Sequence, residues 1–376
     1  MRNIIIAIIT LFAVGCTEKP TNEKVTSIET QLRKVNQYWQ SNKPAEVSAF
    51  WDNAAYHTGN MALYELIGDT SFLNYSIRWA EHNNYQGATS TDKAEWKHYP
   101  YGEGNDFVLF GDWQICFQTY LDLYRLGKVG KEGVARALEV MSYEVSTERN
   151  DYWWWADGLY MVMPVMTKMY LYTGDDIYLE KLDQYLAYSD SIMYDDEVGL
   201  YYRDAKYVYP KHTSVNGKKD FWARGDGWVF AAFAKILSDM PKDWKYRAKY
   251  EERFKRMAVA VKVCQQSEGH WTRSLLDAEH APGYETSGTA FFTYGFYWGM
   301  NNGYLSEEEY LPTAEKGWNY LSTVALQEDG RVGYVQPIGE RAIPGQTVDA
   351  NSTANFGVGA FLLAGTEAVR YYTKAE

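Results

Sequence analysis

The sequence predicts an all-α protein whose helices close into an (α/α)6 barrel, six helical hairpins arranged as two concentric rings. Three observations predict this fold: glycine-containing stops recur along the chain, apolar and amphipathic helices alternate around them, and strand-like stretches are rare. A repeat of helical hairpins over so long a chain indicates an array that closes on itself, because a single open core rarely grows that large. We therefore expect residues 28–376 to form one domain.

Six short stops divide the helical pattern. In most of them a glycine follows the last apolar residue of a helix, which is a C-cap signal, and a following Asp or Ser can cap the next helix. The stop at Leu237 has no glycine, and Pro241 provides the break there. The six stops are Leu66-Ile67-Gly68-Asp69, Leu126-Gly127-Lys128, Tyr172-Thr173-Gly174-Asp175, Leu237-Ser238-Asp239, Asn302-Gly303-Tyr304 and Leu363-Ala364-Gly365.

The helices on the two sides of each stop differ in their hydrophobic pattern. Those before a stop are apolar all round, as in Trp228–Ala234, whereas their partners are amphipathic, as in Arg253–Ala258. All-apolar helices belong inside a protein and amphipathic ones at its surface, which predicts an inner and an outer ring. Short β excursions are expected only in loops, as a hairpin of Tyr201–Arg203 with Lys206–Tyr209 and as a strand at Arg331–Val335.

The N-terminus has the features of an export signal. Arg2 precedes an apolar run over residues 4–14, which is too short for a permanent membrane span, so residues 1–15 are predicted to be a signal peptide. Cys16 follows small residues, as in a bacterial lipoprotein, and would carry the lipid at the start of a polar tether, residues 16–27. The protein would then be periplasmic or at the cell surface. An ordinary secretory signal with an incidental cysteine is the alternative.

Composition narrows the class of partner. The net charge of −12, from 37 basic and 49 acidic residues, argues against nucleic acid and anionic membrane surfaces. Aromatic residues make up 16% of the chain, and their faces suit sugar rings, although a helical core would also absorb many of them. Cys116 and Cys264 form no disulfide framework, and no spacing suggests a metal or cofactor site.

The predicted starts of the inner helices carry most of the reactive side chains. In a closed barrel these starts converge on one cleft, and their free N–H groups favour an anionic ligand. The starts, counted back from the stops, are Trp51–His57, Gly111–Trp113, Asp157–Gly158, Phe221–Trp228, Tyr284–Gly288 and Asp349–Ser352.

Two of these starts place a carboxylate beside aromatic residues. Asp157 follows Trp153, Trp154 and Trp155, and contact with indole faces would raise its pKa into the range of a general acid. Asp112 opens another inner helix, and two carboxylates in one cleft can be driven to different pKa values. The alternative for both is a helix N-terminal carboxylate that complements the macrodipole or caps the helix.

The remaining candidates are cationic, aromatic or hydroxyl-bearing. Arg224, between Trp222 and Trp228, offers a fork that can hold a carboxylate through two hydrogen bonds, or it pairs with a neighbouring aspartate. Trp222 and Trp228 are expected to take part in substrate binding together with Arg224. Tyr56 and His57 are either sugar-binding groups or packed side chains.

At these residues the chain resembles the unsaturated glycuronyl and rhamnogalacturonyl hydrolases of glycoside hydrolase families 105 and 88. The matching runs are Trp155–Met161, Trp222–Trp228 and Tyr284–Ser287, with a similar stop at Tyr170–Asp175. The resemblance implies an (α/α)6 barrel that removes a 4,5-unsaturated uronic acid from the non-reducing end of oligosaccharides made by polysaccharide lyases. It also implies that Asp157 is the general acid and base, that Asp112 assists, that Arg224 contributes to substrate binding and that no metal is required.

The chain departs from the family pattern at two positions. Arg203 stands where family members often carry histidine, and Asp226 where they often carry asparagine. Arg203 would add a second cation near the pocket and favour a sulfated or more acidic sugar at the next subsite. The expected substrate is a fragment of an acidic, rhamnose-bearing polysaccharide such as ulvan or a rhamnogalacturonan. We expect a monomer or weak oligomer that binds acidic oligosaccharides. The alternatives are a lipid-anchored glycan-binding protein without turnover and an inverting glycosidase acting on saturated substrates.

Overall fold

The computed structural model describes residues 23–374. Residues 1–22, which contain the predicted signal peptide, Cys16 and most of the predicted tether, lie outside the described residues. Within residues 23–374 there are thirteen α-helices: α1 Glu23–Asn42, α2 Trp51–Ile67, α3 Thr70–His82, α4 Gly111–Gln114, α5 Cys116–Arg125, α6 Ala135–Ser146, α7 Ala156–Thr173, α8 Ile177–Met193, α9 Ala223–Asp239, α10 Arg247–Lys262, α11 Thr286–Asn301, α12 Glu307–Tyr320 and α13 Asn355–Lys374.

The inner helices form a closed ring. In order around the ring they are α2, α5, α7, α9, α11 and α13, and α13 returns to contact α2. The short helix α4 precedes α5 almost without a break, because Ile115 between them is itself helical. Five inner helices pack directly against an outer helix: α2 against α3, α7 against α8, α9 against α10, α11 against α12 and α13 against α1. The remaining outer helix, α6, follows α5 through the short turn Lys131–Val134 and contacts α7 and α8. The prediction of an (α/α)6 barrel is confirmed.

Five of the six predicted stops end an inner helix. Gly68 and Gly174 follow α2 and α7 in the left-handed conformation, with φ values of 69° and 74°. Their N–H groups bond back to the carbonyls of Tyr64 and Tyr170, which is the capping geometry that favours glycine. The turn to the next outer helix follows directly in both cases.

The sixth predicted stop is wrong. Leu363-Ala364-Gly365 lies in the interior of α13, which continues to Lys374. A Cβ on Gly365 would come within 2.4 Å of Leu32 and 2.8 Å of Trp318, so this glycine permits close packing against α1 and α12. The sixth pair consists of α13 and α1, the last and the first helix of residues 23–374, and not of a consecutive hairpin.

Two other boundaries differ from the prediction. Helix α1 begins at Glu23, so residues 23–27, assigned to the tether, are helical. Helix α13 begins at Asn355, and Asp349–Ser352 forms the turn that precedes it. None of the helices in residues 23–374 is long and apolar enough to cross a membrane.

Strand structure is limited to one small hairpin in residues 23–374. Strand β1, Tyr194–Asp195, pairs antiparallel with β2, Leu200–Tyr201. Tyr201 therefore takes a preceding segment as its partner, and the predicted pairing with Lys206–Tyr209 is wrong. In the predicted strand at Arg331–Val335 the structure has only a single bridge, between Leu326 and Val332.

The ring closes where α2 and α13 bring their backbones together. A Cβ on Gly59 would lie 2.2 Å from the carbonyl oxygen of Gly359, and a Cβ on Gly359 would lie 2.5 Å from the carbonyl oxygen of Ala55. Backbone atoms cannot move aside as a flexible side chain can, so the two helices approach this closely only through glycine.

We expect Gly59→Ala to lower the free energy of unfolding by about 1–3 kcal/mol, because the added methyl group overpacks the contact between α2 and α13. Chemical denaturation followed by circular dichroism measures the change. Gly339→Ala is the control, since the nearest atom to its added Cβ lies at 3.7 Å. Equal stability of Gly59→Ala and the wild type would contradict the close approach.

Candidate active site

A cleft of about 230 Å³ lies at the end of the ring where the inner helices begin. Helices α2, α4 and α7 supply one side of it, and three loops supply the other. Of the six predicted helix starts, three contribute a residue to this cleft, and those at Phe221–Trp228, Tyr284–Gly288 and Asp349–Ser352 do not. The lining consists of Trp51, Tyr101, Asp112, Trp155, Asp157, Met161, Arg203, Ile338, Gly339 and Glu340.

The two candidate acids come from the first turns of α4 and α7. Gly111 brings α4 against α7, because a Cβ there would lie 3.2 Å from the Trp155 ring. Trp155 precedes α7 in an extended conformation and lies 4.7 Å, between ring centroids, from Phe110. Both carboxyls are consequently buried, with exposed fractions of 4% for Asp112 and 8% for Asp157.

Arg203 is fixed beside Asp157 by backbone contacts. The N–H of Ala156 donates to the carbonyl of Arg203 at 2.8 Å, and Trp155 and Asp204 form an antiparallel bridge. The Nε of Arg203 then lies 3.4 Å from Oδ2 of Asp157, and its Nη1 lies 2.7 Å from Asp204. Glu340 completes the surroundings of this guanidinium at 3.5 Å.

Burial raises the pKa of both acids, and the neighbouring charges affect the two pKa values differently. The pKa of Asp112 lies well above its ordinary value because of burial and the negative charge of Asp157. Burial also raises the pKa of Asp157, but the charges of Arg203 and Arg224 act against the increase. Desolvation therefore outweighs any stabilisation of the carboxylates by the helix N-termini at both positions, so that both acids bind a proton more tightly than a free aspartate does.

Arg224 does not line the cleft. It is buried behind the cleft wall, where Nη1 donates to the carbonyl of Gln336 at 2.6 Å and Nη2 to that of Pro337 at 2.9 Å. Its guanidinium also lies against the rings of Trp222 and Phe356, 4.5 and 4.6 Å from their centroids. Arg224 thus donates its two hydrogen bonds to backbone carbonyls, whereas we expected it to donate them to a substrate carboxylate. Burial lowers the pKa of Arg224 to about 10, so it remains charged at neutral pH.

The two tryptophans assigned to substrate binding also lie outside the cleft lining. Trp222 donates from Nε1 to the side chain of Gln336 at 2.8 Å and supports the same backbone segment as Arg224. Trp228 is fully buried in the ring and packs against Tyr160 and Phe291. An apolar inner helix presents side chains to the core at most positions, and Trp228 is one of them.

Tyr56 and His57 follow the packed alternative. The hydroxyl of Tyr56 donates to Asn36 at 2.6 Å, and Nδ1 of His57 lies 2.8 Å from the hydroxyl of Ser76. The imidazole is stacked on Trp79 at 3.9 Å between centroids, and burial lowers its pKa well below the ordinary value. Both side chains join α2 to outer helices, and the expectation that they contact substrate in the cleft is corrected.

The cleft wall formed by residues 336–340 was not predicted from the sequence. The segment has no helical or alternating pattern, and Glu340 is separated from every recognised motif. The structure brings it to the cleft because Trp222, Arg224 and Glu285 hold Gln336; the carboxylate of Glu285 accepts from the Gln336 N–H at 3.2 Å.

A second cavity, of about 300 Å³, lies toward the other end of the ring. Its charges are mostly paired: Lys168 lies 2.6 Å from Asp122, and Arg125 lies 2.5 Å from Glu65. Burial lowers the pKa of Lys235 in this cavity to about 8. Paired charges of this kind indicate ion-pair packing, so we place the chemistry in the smaller cleft with the two acids. Within residues 23–374 no three His, Cys, Asp or Glu side chains are grouped to hold a metal ion.

We expect Asp112→Asn to be more stable than the wild type at neutral and alkaline pH, by a few degrees in Tm. The folded pKa of Asp112 is raised, so the stability that its neutral form provides is lost as the pH rises through that value. Asparagine does not ionise, and the difference should vanish below pH ~4, where aspartate is neutral in both states. Thermal unfolding across pH measures this, with Asp151→Asn as control; a variant that is less stable at high pH would contradict it.

Comparison with known proteins places the chain in a family. The model of "Glycosyl Hydrolase Family 88" matches residues 23–372. The curated "Unsaturated 3S-rhamnoglycuronyl hydrolase" of Formosa agariphila is 33% identical over 360 residues, which is 92% of this chain and 91% of that protein.

Two solved structures are more similar in sequence. "Glycosyl hydrolase family 88 from Bacteroides vulgatus" is 60% identical, with a TM-score of 0.91, over 93% of this chain and 100% of its own. "Polysaccharide Lyase BACCELL_00875" is 65% identical, with a TM-score of 0.91, over 93% and 99%. The family match over nearly all of the described residues confirms the resemblance found in the sequence, and the chain belongs to glycosyl hydrolase family 88 and is a glycoside hydrolase.

Proposed function

We propose that the protein removes a 4,5-unsaturated uronic acid from the non-reducing end of acidic oligosaccharides by hydrating the C4–C5 double bond. The observation that carries the proposal is the acid pair: Asp112 and Asp157 line one cleft, both with raised pKa values, beside the guanidinium of Arg203. The name of the curated relative from Formosa agariphila supports the same substrate class.

The chemistry needs a proton donor and a base but no covalent intermediate. An unsaturated uronic acid is an enol ether, and protonation at C4 makes an oxocarbenium-like centre at C5. Water attacks C5 and gives up a proton to the base, and the resulting hemiketal opens to release the next sugar. Because the anomeric carbon is not attacked, the separation of the two carboxyls does not predict a retaining or inverting outcome.

In this proposal, binding of the substrate raises the pKa of Asp157 further and so makes it a better proton donor. In the free cleft burial raises the pKa of Asp157, and the charge of Arg203 at 3.4 Å opposes this increase. The carboxylate of the uronic acid is attached to C5, next to the reacting bond, and Arg203 is the cation that lines the cleft beside Asp157. A carboxylate bound to Arg203 neutralises the charge that lowers the pKa of Asp157. The neutral form of Asp157 is thereby favoured, and it delivers its proton to C4.

The leaving sugar is proposed to be rhamnose or a similar residue of an acidic polysaccharide, such as ulvan or a rhamnogalacturonan. Support comes from the name of the Formosa agariphila relative, which contains rhamnose next to a uronic acid. The cleft mouth also offers the half-exposed ring of Tyr101 and the exposed Ile338, surfaces on which the face of a sugar ring can lie.

We expect Asp157→Asn to lower kcat about 10²–10⁴-fold, because asparagine neither donates a proton to C4 nor accepts one from water. The assay follows the ultraviolet absorbance of the conjugated double bond on a panel of lyase-generated oligosaccharides, with their saturated counterparts as controls. Asp151→Asn, which changes an exposed carboxylate paired with Arg149 outside the cleft, is the matched variant. Full activity in Asp157→Asn would rule out the proposal.

A polysaccharide lyase is the second candidate, favoured by the name of the solved structure that is 65% identical. A lyase creates the conjugated double bond by eliminating the 4-linked sugar, whereas the proposed hydrolase consumes it. The same assay therefore distinguishes the two reactions by the direction in which the absorbance changes. Absorbance that falls on unsaturated fragments supports the hydrolase, and absorbance that rises on the intact polysaccharide supports the lyase.

We also propose that the protein is exported and anchored by a lipid at Cys16, on the basis of the N-terminal pattern described above. We expect metabolic labelling with a fatty acid to mark the wild type and Cys264→Ser but not Cys16→Ser, and Cys16→Ser to leave the membrane fraction. A labelled Cys16→Ser variant would contradict the anchor.

A further inference from the structure

The cleft wall is a segment with a fixed base and a weakly held tip. We define the base as Gln336 and Pro337, whose backbone receives two hydrogen bonds from the buried Arg224. The tip comprises residues 338–340. Within residues 23–374 no backbone hydrogen bond joins the tip to the rest of the chain, and Ile338 is 64% exposed. The base therefore positions the tip, while the tip itself is free to rearrange.

The side chain of Glu340 is what ties the tip to the cleft. It accepts a hydrogen bond from the hydroxyl of Tyr207 at 2.5 Å and pairs with Lys206 at 3.2 Å and with Arg203 at 3.5 Å. The hydrogen bonds from Tyr207 and Lys206 and the charge of Arg203 outweigh the effect of burial and lower the pKa of Glu340. Glu340 is thus an ionised group at neutral pH.

The three carboxylates around Arg203 differ in how firmly they are held. Asp157 is buried at the start of α7, and Asp204 is buried and accepts the backbone N–H of Lys206 at 2.8 Å. The side chain of Glu340 is 47% exposed and can return to water. Exposed ion pairs contribute little net stability, so Glu340 is the partner that Arg203 can exchange at low cost.

The number of acidic groups around Arg203 favours an exchange of Glu340 for a ligand carboxylate. Arg203 and Lys206 face the three acidic side chains of Asp157, Asp204 and Glu340, so acidic groups outnumber the cations beside them by one before any ligand enters. An anionic sugar that entered while Glu340 stayed in place would meet further repulsion. Release of Glu340 removes that excess.

We infer that Glu340 is an internal counterion that occupies Arg203 in the free protein and is displaced by the carboxylate of the substrate's uronic acid. This inference deepens the proposed function and rests on it for the identity of the ligand. Glu340 acts here as a specificity-determining residue: a ligand without the carboxylate leaves Glu340 on Arg203, whereas a uronate replaces one carboxylate by another.

The test compares Glu340→Gln with the wild type. Glutamine keeps the size of the side chain and a bond to Tyr207 but cannot compete as an anion. We expect Kd for methyl glucuronide, a saturated uronate that is not a substrate for hydration, to fall about two- to fivefold in calorimetry. KM for an unsaturated oligosaccharide should fall by a similar factor. The methyl ester of the glucuronide should show no such gain.

Glu103→Gln is the matched control. Glu103 is an exposed carboxylate at the same rim, bonded to the hydroxyl of Tyr101 at 2.7 Å, and its charge also reaches Asp112. Its removal lowers the negative charge of the rim without freeing Arg203, so we expect a smaller change in Kd. Equal gains in Glu103→Gln and Glu340→Gln, an equal gain for the methyl ester, or an unchanged or weaker affinity in Glu340→Gln would each overturn the inference.

The two proposals fail separately. If no unsaturated oligosaccharide loses its double bond but Glu340→Gln still binds methyl glucuronide more tightly, the proposed reaction is wrong and the counterion role stands. If the double bond is consumed and the Kd and KM values of Glu340→Gln match those of the wild type, the reaction stands and the counterion role is wrong.

Discussion

The contact between α2 and α13 is the constraint on which the rest of the structure depends. At Gly59 and Gly359 the two backbones meet without intervening side chains, and this contact closes the ring of inner helices. Once the ring is closed, the starts of α2, α4 and α7 face one space, and the acids they carry are removed from water together. The raised pKa values of the two acids therefore depend on closure of the ring as well as on the local packing of Trp155 and Phe110.

The two buried carboxyls of the cleft differ in the charges that surround them. Burial raises both pKa values, and only Asp157 has a guanidinium at 3.4 Å to oppose the increase. The difference depends on Arg203, which is held by backbone bonds to the start of α7 and surrounded by three carboxylates. An anionic ligand that pairs with Arg203 offsets its positive charge and thereby raises the proton affinity of the two acids. Ligand binding and proton transfer are coupled in this way.

Much of the fold could be predicted because its signals are local. A glycine after an apolar helix has a direct structural meaning, as at Gly68 and Gly174. Gly365 has the same sequence context but serves the packing of α13 against α1, a contact between residues more than 300 positions apart that no local pattern reveals. The pairing of the first helix with the last was missed for the same reason.

The site could be predicted in part, since a helix start fixes where a backbone lies but not where its side chain points. Asp112, Asp157 and Arg203 reach the cleft as expected, whereas Arg224 turns away from it and holds the backbone of Gln336 and Pro337. Glu340 was missed because it lies in a segment without periodicity, positioned only by distant side chains.

The pairing of α1 with α13 bears on the order in which the chain matures. The N-terminal helix emerges first from the ribosome, yet the apolar side that it presents to α13 stays uncovered until the final twenty residues have been made. The inner ring likewise lacks its sixth member until then. Closure of the barrel must accordingly follow the synthesis of α13.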